Sequence, residues 1–144
     1  MTPFDMPPTR RVLIVDHDRT TLEMAQIRLD VAGYDAVAVR DAVAALSVLE
    51  AGDVDAVVLE RQLPAMASLQ ILEALASGPC GPVPVLLTGR RLGDEDIEAA
   101  RVHGVCAGLA KPYSGAALLE RVDRMLAEGA PACSAEPEDA WLEV

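Results

Sequence analysis

The sequence predicts an α/β protein, a doubly wound sheet of five parallel strands with a helix after each strand. Three observations lead there. Short apolar runs recur along the chain and alternate with stretches whose apolar residues fall three or four apart. The runs are continuous rather than alternating in polarity, the pattern of strands covered on both faces. Apolar residues make up 51% of the 144 residues but aromatics only 3%, so the core is built from Val, Leu, Ile and Ala. Parallel neighbours need crossover connections, and such crossovers are right-handed.

The first strand is expected from Arg11 to Val15. Asp18 can cap the helix that follows, whose Leu22, Ala25, Leu29 and Ala32 share one face before Gly33 stops it. A second strand covers Asp35 to Val39, and a helix from Asp41 turns Ala42, Ala45, Leu46 and Leu49 inward. The third strand is expected from Asp55 to Leu59, with a helix after Pro64 that carries Leu69, Leu72 and Ala76 on one face. The breaker run from Ser77 through Gly78, Pro79 and Gly81 to Pro82 ends it. Val83 to Leu87 is the fourth strand. A polar helix follows from Asp94 to His103, where a cation suits the helix end, and Gly104 closes it. The fifth strand runs from Val105 to Ala110, and Ser114 opens a last helix with Leu118, Leu119, Val122, Met125 and Leu126 before Gly129.

One domain is therefore expected over residues 11–128, with a flexible arm at 1–10 and an acidic, disordered tail at 129–144. The tail carries Glu136, Glu138, Asp139 and Glu143 with Pro131 and Pro137 and no basic residue; Trp141 with Leu142 is either a short docking element or part of a solvated end. A net charge of -11 sets the chain against nucleic acid and anionic membrane, which carry the same sign. Cys80, Cys106 and Cys133 are odd in number and far apart, and read as reduced thiols. The first ten residues lack the apolar centre of a signal peptide, and no run approaches the ~20 apolar residues of a membrane span. A cytoplasmic protein is expected.

Four strand endings carry the polar chemistry. They are Val12 to Asp18 (apolar, then Asp16, His17, Asp18), Val57 to Pro64 (with Glu60, Gln62 and Leu63 before the proline), Val85 to Gly89 (with Thr88) and Leu109 to Tyr113 (with Lys111 and Pro112). In doubly wound sheets, sites form outside the C-terminal strand ends, which brings Asp16, His17, Glu60, Thr88 and Lys111 to one rim. This ordered set resembles the receiver domain of two-component response regulators, over about Arg11 to Glu128. The resemblance implies a flavodoxin-like receiver (β/α)5 fold with strand order 2-1-3-4-5. It also implies a phosphoryl group passed from a histidine kinase's phosphohistidine to an aspartate ending the third strand. In that family Mg²⁺ is held by an acidic pair after the first strand and a backbone carbonyl near the acceptor, while a Ser or Thr and a Lys bind phosphoryl oxygens. Phosphoryl transfer consists mostly of positioning and neutralisation of charge on those oxygens, which is why these groups are needed. Asp16 matches the first acid, the Gln62 carbonyl the backbone metal ligand, Thr88 the hydroxyl and Lys111 the lysine, with Lys111–Pro112 at a bond commonly cis in the family.

Three matches fail. Glu60 stands at the acceptor position, its extra methylene pushing the carboxylate about 1.5 Å further into the pocket. A misplacement of ~1 Å can cost on the order of 10²-fold in rate. His17 replaces the acid that contacts Mg²⁺, and imidazole suits softer metals than this hard, oxygen-seeking ion. Gly108 falls where a Tyr or Phe usually swings inward, so that switch has no side chain. In the loop after Pro64, Ala67 and Ser68 also replace the usual Asp-Gly. The expectation is a pseudo-receiver, not an enzyme, that binds protein partners without a phosphorylation cycle and whose Mg²⁺ site, at Asp16 and Gln62, is weakened or lost.

Several alternatives remain at this level. Glu60 beside Lys111 and Thr88 can imitate a phosphorylated state, or the receiver can still accept a phosphoryl group. Asp16, His17, Asp18 and Glu60 can ligate a softer metal such as Zn²⁺ in a small metal-dependent enzyme. The competing structural reading makes Asp18 a helix cap, His17 a partly exposed loop residue and Asp16 a partner of Lys111. Thr88, Gly89, Arg90 and Arg91 can meet an anion or simply form a loop. No glycine-rich nucleotide loop is present and no Ser-His-Asp arrangement stands out. The expected partner is a histidine kinase or downstream regulator. A homodimer is expected through the face of the 94–103 helix, fifth strand and last helix, where Glu95, Glu98, Arg101, Arg121 and Arg124 lie.

Overall fold

A computed structural model describes residues 9–63, 67–77, 83–90, 92, 101 and 105–128. The acidic tail, most of the N-terminal arm and, except for Arg101, the expected 94–103 helix lie outside the described residues. The elements are β1 (Arg11–Val15), α1 (Arg19–Val31), β2 (Asp35–Val39), α2 (Ala42–Ala51), β3 (Ala56–Glu60), α3 (Ala67–Ser77), β4 (Val85–Gly89), β5 (Val105–Ala110) and α4 (Gly115–Glu128). The five strands form one sheet in the order β2-β1-β3-β4-β5, and every neighbouring pair is parallel. The predicted fold class and strand order are those observed.

The apolar runs split by residue parity into two cores. Val12, Ile14, Val58 and Leu86 face α1 and α4, where Leu22, Ala25, Leu29, Leu118, Val122 and Met125 close one layer. Leu13, Val15, Val57, Leu59, Val85 and Leu87 face the other side, against Ala45 and Leu49 of α2 and Ile71, Leu72 and Leu75 of α3. Because helices cover both faces, β3 and β4 are buried at every position. That is why the strands read as unbroken apolar runs.

Local signals account for three of the helix ends. Asp41 accepts from the Ala44 N–H at 2.8 Å and Ser114 Oγ from the Ala117 N–H at 3.0 Å, each a side chain meeting an N–H left open by a first turn. Gly33 ends α1 at φ 103, a conformation that a side chain would resist. Asp18 departs from expectation. It occupies the N-cap position of α1 but makes no side-chain cap hydrogen bond, and accepts instead from the Thr21 hydroxyl at 2.5 Å.

Four other readings are corrected. Ala32 is exposed rather than packed, since α1 ends at Val31. β4 starts at Val85, two residues later than expected, because Pro84 has no N–H for the ladder, although its carbonyl accepts from Val57 at 3.0 Å. β3 begins at Ala56, since Asp55 forms the junction with Arg11, donating its N–H at 2.8 Å and accepting at 2.8 Å. Glu60 therefore belongs to the strand itself. Cys106, read as a reduced thiol, is disulfide-bonded, and the other two cysteines lie outside the described residues. Odd cysteine number and wide spacing do not decide pairing, because residues distant in sequence can be near in the fold.

Burial predicts how unevenly substitutions act. Leu118 is 0% exposed and Val43 is 76% exposed. In urea unfolding, Leu118→Ala should cost about 2–5 kcal/mol by opening a cavity. Val43→Ala should stay within about 0.5 kcal/mol.

Candidate functional site

β1, β3, β4 and β5 all run in one direction, so Asp16, Glu60, Thr88 and Lys111 come together at the C-terminal edge of the sheet. Asp16 and Glu60 are each 2% exposed and Thr88 is 1% exposed. Charges so buried persist only with partners. The Lys111 ammonium supplies one, at 2.8 Å from Asp16 Oδ2, 3.0 Å from Asp16 Oδ1 and 3.1 Å from Glu60 Oε2. Glu60 Oε1 accepts the His17 backbone N–H at 2.9 Å and lies 2.5 Å from His17 Nδ1. Asp16 Oδ1 also accepts from the Asp18 N–H at 2.9 Å. Each of the four carboxylate oxygens thus has a donor.

The proton affinities follow from this geometry. Burial pushes the Asp16 carboxyl above its ordinary value, further helped by the Glu60 charge and resisted by Lys111 and the Asp18 N–H. Burial would do the same to Glu60, but hydrogen bonds from the His17 N–H, the His17 ring, Asp16 and Lys111 outweigh it and hold that carboxyl low. For Lys111, burial alone would lower the ammonium's pKa; its bonds to Asp16 and Glu60 raise it instead. Glu60 is the settled anion of the pair. Since an ionised carboxylate only accepts, the contact assigns a proton to Nδ1 of His17.

Backbone bonds align the strand ends. Arg61 donates its N–H to the Thr88 carbonyl at 2.7 Å and Lys111 to the Gly89 carbonyl at 2.8 Å, and the Lys111–Pro112 bond is cis. The Gln62 side chain crosses to β4, where Oε1 accepts from the Arg90 N–H at 3.3 Å. A Cβ on Gly89 would stand 2.7 Å from that oxygen, so glycine makes room for the crossing. Gly108 is buried in β5 beside Leu87, and its carbonyl accepts from Arg121 Nη1 at 2.9 Å. Arg121 is therefore turned toward β5, while Arg124 pairs on the surface with Glu120 at 2.5 Å. Of the other residues placed on the expected interaction face, Glu95 and Glu98 lie outside the described residues, as does Arg91 of the loop after β4.

Two neighbours were missed in the sequence. Arg40, at the end of β2, donates Nη2 to the His17 carbonyl at 3.3 Å. The Tyr113 hydroxyl is buried without a hydrogen-bond partner among the described residues. Burial, then the charges of Asp16, Glu60 and Asp18, push its pKa up. Its place directly after Lys111 and Pro112 was the available signal. Asp16, His17 and Glu60 also present ligand atoms that all lie within 4.8 Å of one another, a possible metal-binding group. Among the described residues no helix is long and apolar enough to cross a membrane.

A parallel 2-1-3-4-5 sheet with this rim defines a class, and comparison with known proteins identifies it. The profile of the response regulator receiver domain matches residues 12–123, and the chain belongs to that family. Receiver domains are signalling modules of two-component response regulators rather than enzymes, and they bind Mg²⁺ at an acidic pocket. Among curated relatives, the sensory transduction protein RegX3 of Mycolicibacterium smegmatis is 30% identical over 136 residues, covering 92% of this chain and 57% of its own. The response regulator MprA of Mycobacterium tuberculosis is 32% identical over 130 residues, covering 88% and 54%. The chain thus spans little more than half the length of these relatives. Among solved structures, the chemotaxis response regulator CheY4 of Vibrio cholerae superposes with a TM-score of 0.76 at 22% identity, over 83% of this chain and 100% of its own. A CheY-like receiver domain protein from Methanospirillum hungatei gives 0.76 at 23% identity, over 84% and 96%. These likenesses show the fold.

Removing Lys111 tests the charge balance. Glu60's depressed pKa means that its stabilisation is present above the ordinary value of 4.5 and fades as pH falls. That of Lys111, whose pKa is raised, is complete below 10.5 and fades as pH rises through the folded value. Lys111→Met should therefore cost about 3–5 kcal/mol at neutral pH, because two buried carboxylates lose their cation. In denaturant titrations across pH, the difference from wild type should narrow on acidification below 4.5.

Proposed function

We propose that this receiver domain signals through protein contact without an acyl phosphate at the end of its third strand. The observation that carries the reading is the state of Glu60, buried and held at once by Lys111, the His17 N–H and the His17 ring. A phosphoryl acceptor needs a carboxylate oxygen open to in-line attack. Here each oxygen already has a donor.

The Mg²⁺ that receiver domains bind does not fit this donor set. Magnesium demands near-octahedral oxygen ligation. The Asp16 and Glu60 oxygens converge on the Lys111 ammonium, and the third group offered is an imidazole. We therefore treat Asp16 and Gln62 as the remnant of a Mg²⁺ site, Glu60 as the altered acceptor position, Thr88 and Lys111 as the remnant phosphate pocket and Gly108 as a lost switch. The partner in this reading is a histidine kinase or a downstream regulator, met in the cytoplasm, or a second copy through the face of β5 and α4.

A second reading has one observation behind it. The Glu60 carboxylate bonds at 3.1 Å to Lys111, the cation that in this family binds a phosphoryl oxygen, so the pocket can stand permanently in a modified-like charge state. Under that reading Glu60→Gln weakens partner binding; unchanged affinity rejects it.

The main reading is tested by intact mass after incubation with Mg²⁺ and acetyl phosphate. The native chain should gain no hydroxylamine-labile phosphate at Glu60, whereas a His17→Asp/Glu60→Asp double variant should gain one. A hydroxylamine-labile phosphate mapped to Glu60 in the native chain would overturn it.

A further inference from the structure

His17 combines two properties. Its side chain is 56% exposed, yet Nδ1 is fixed against a carboxylate that is only 2% exposed. Glu60 cannot drift, because Lys111 and the His17 backbone N–H hold its two oxygens. In the neutral ring with its proton on Nδ1 the lone pair resides on Nε2, which has no hydrogen-bond partner among the described residues. A carboxylate that orients an imidazole and stabilises the imidazolium formed during reaction is the device that supports the histidine of a catalytic triad, and histidine is itself among the side chains that form covalent intermediates. Arg40 adds a cation beside the same loop through its bond to the His17 carbonyl.

The geometry points to Nε2 of His17 as a phosphoryl acceptor for phosphoramidate and acyl phosphate donors. The Nε2 lone pair attacks phosphorus as the donor's P–N or P–O bond breaks. The donor leaves with that electron pair, as an amine once protonated by solvent or as a carboxylate. The new N–P bond leaves the ring as an imidazolium, its Nδ1 proton facing the Glu60 carboxylate. The reacting form is the neutral ring with its proton on Nδ1 toward Glu60, in which Nε2 carries the lone pair. The proposal rests on the reading of Glu60 as a fixed partner rather than an acceptor.

The chain contains two histidines, so His103 serves as an internal control. The native protein is incubated separately with potassium phosphoramidate and with acetyl phosphate, then followed by intact mass and by peptide mapping under alkaline conditions. The expected result is one phosphoryl group, stable to alkali and lost in acid, at His17 and not at His103. It should be absent from His17→Gln and form on the order of tenfold more slowly in Glu60→Gln, the lower end of what loss of a hydrogen-bonding partner costs a metal-bound histidine. Far-UV circular dichroism confirms that both variants are folded, and the mapping on native protein stands without them. Absence of an adduct, equal labelling of both histidines, or an alkali-stable adduct that survives His17→Gln overturns the proposal while leaving the reading of Glu60 intact. An alkali-labile adduct on Glu60 overturns both.

Discussion

Three charged groups share a space from which water is almost excluded, and the rim of the sheet is organised around them. Asp16, Glu60 and Lys111 come from the ends of β1, β3 and β5, and none is more than 9% exposed at its side chain. Each ion would be costly alone, since desolvation of a single charge is repaid only by close partners of opposite sign. Meeting requires the strand order. β1 and β3 are adjacent, so their two acids are neighbours, but β5 is separated from β3 by β4. The long Lys111 side chain makes up that distance, and the bonds from Arg61 to Thr88 and from Lys111 to Gly89 keep the intervening strand end in line. A charge at this position thus reports on the alignment of three strands.

The same topology explains why the fold was legible. Strands covered on both faces must be apolar at successive positions, and helices covering them must be apolar at every third or fourth. Val12 to Val15 and Leu118, Val122 and Met125 follow these rules without exception, and the predicted order was observed. Boundaries were less legible because apolarity does not mark where a ladder begins. Val83 is buried like Val85, at 6% and 0% exposure, yet Pro84 keeps the ladder from starting before Val85. At Asp18, residue type suggested a cap, but the Thr21 hydroxyl competes for the same carboxylate.

At the site, the sequence identified the positions and the pairings with Lys111, but not the contact of the His17 ring. Asp16, His17, Glu60, Thr88 and Lys111 were expected at one rim because each follows or ends an apolar run, and that expectation needed only topology. The pairing of Asp16 with Lys111 was among the readings, and it is observed. The ring of His17 on Glu60 was not foreseen. A loop histidine can turn outward or inward, and the choice depends on how far a neighbouring strand's carboxylate projects. Tyr113 and Arg40 were passed over for a similar reason: their relation to the pocket depends on side-chain direction beyond the strand end, which periodicity does not encode.

Side-chain length at position 60 links these features. One more methylene than aspartate extends the carboxylate by about 1.5 Å, and in the structure that carboxylate meets both the inner cation and the outer ring. The two partners are held unequally. Displacing Lys111 strands two buried carboxylates at once, and an unpaired buried charge is among the costlier defects a fold can carry. Turning His17 away removes a single side-chain contact from Glu60, while Lys111 still holds the other oxygen and the exposed ring can be hydrated. The pocket therefore has a rigid inner wall and a yielding outer one. Of the residues gathered at this pocket, the imidazole of His17 is far more exposed to solvent than either acid, so it is the part of the group open to an incoming molecule.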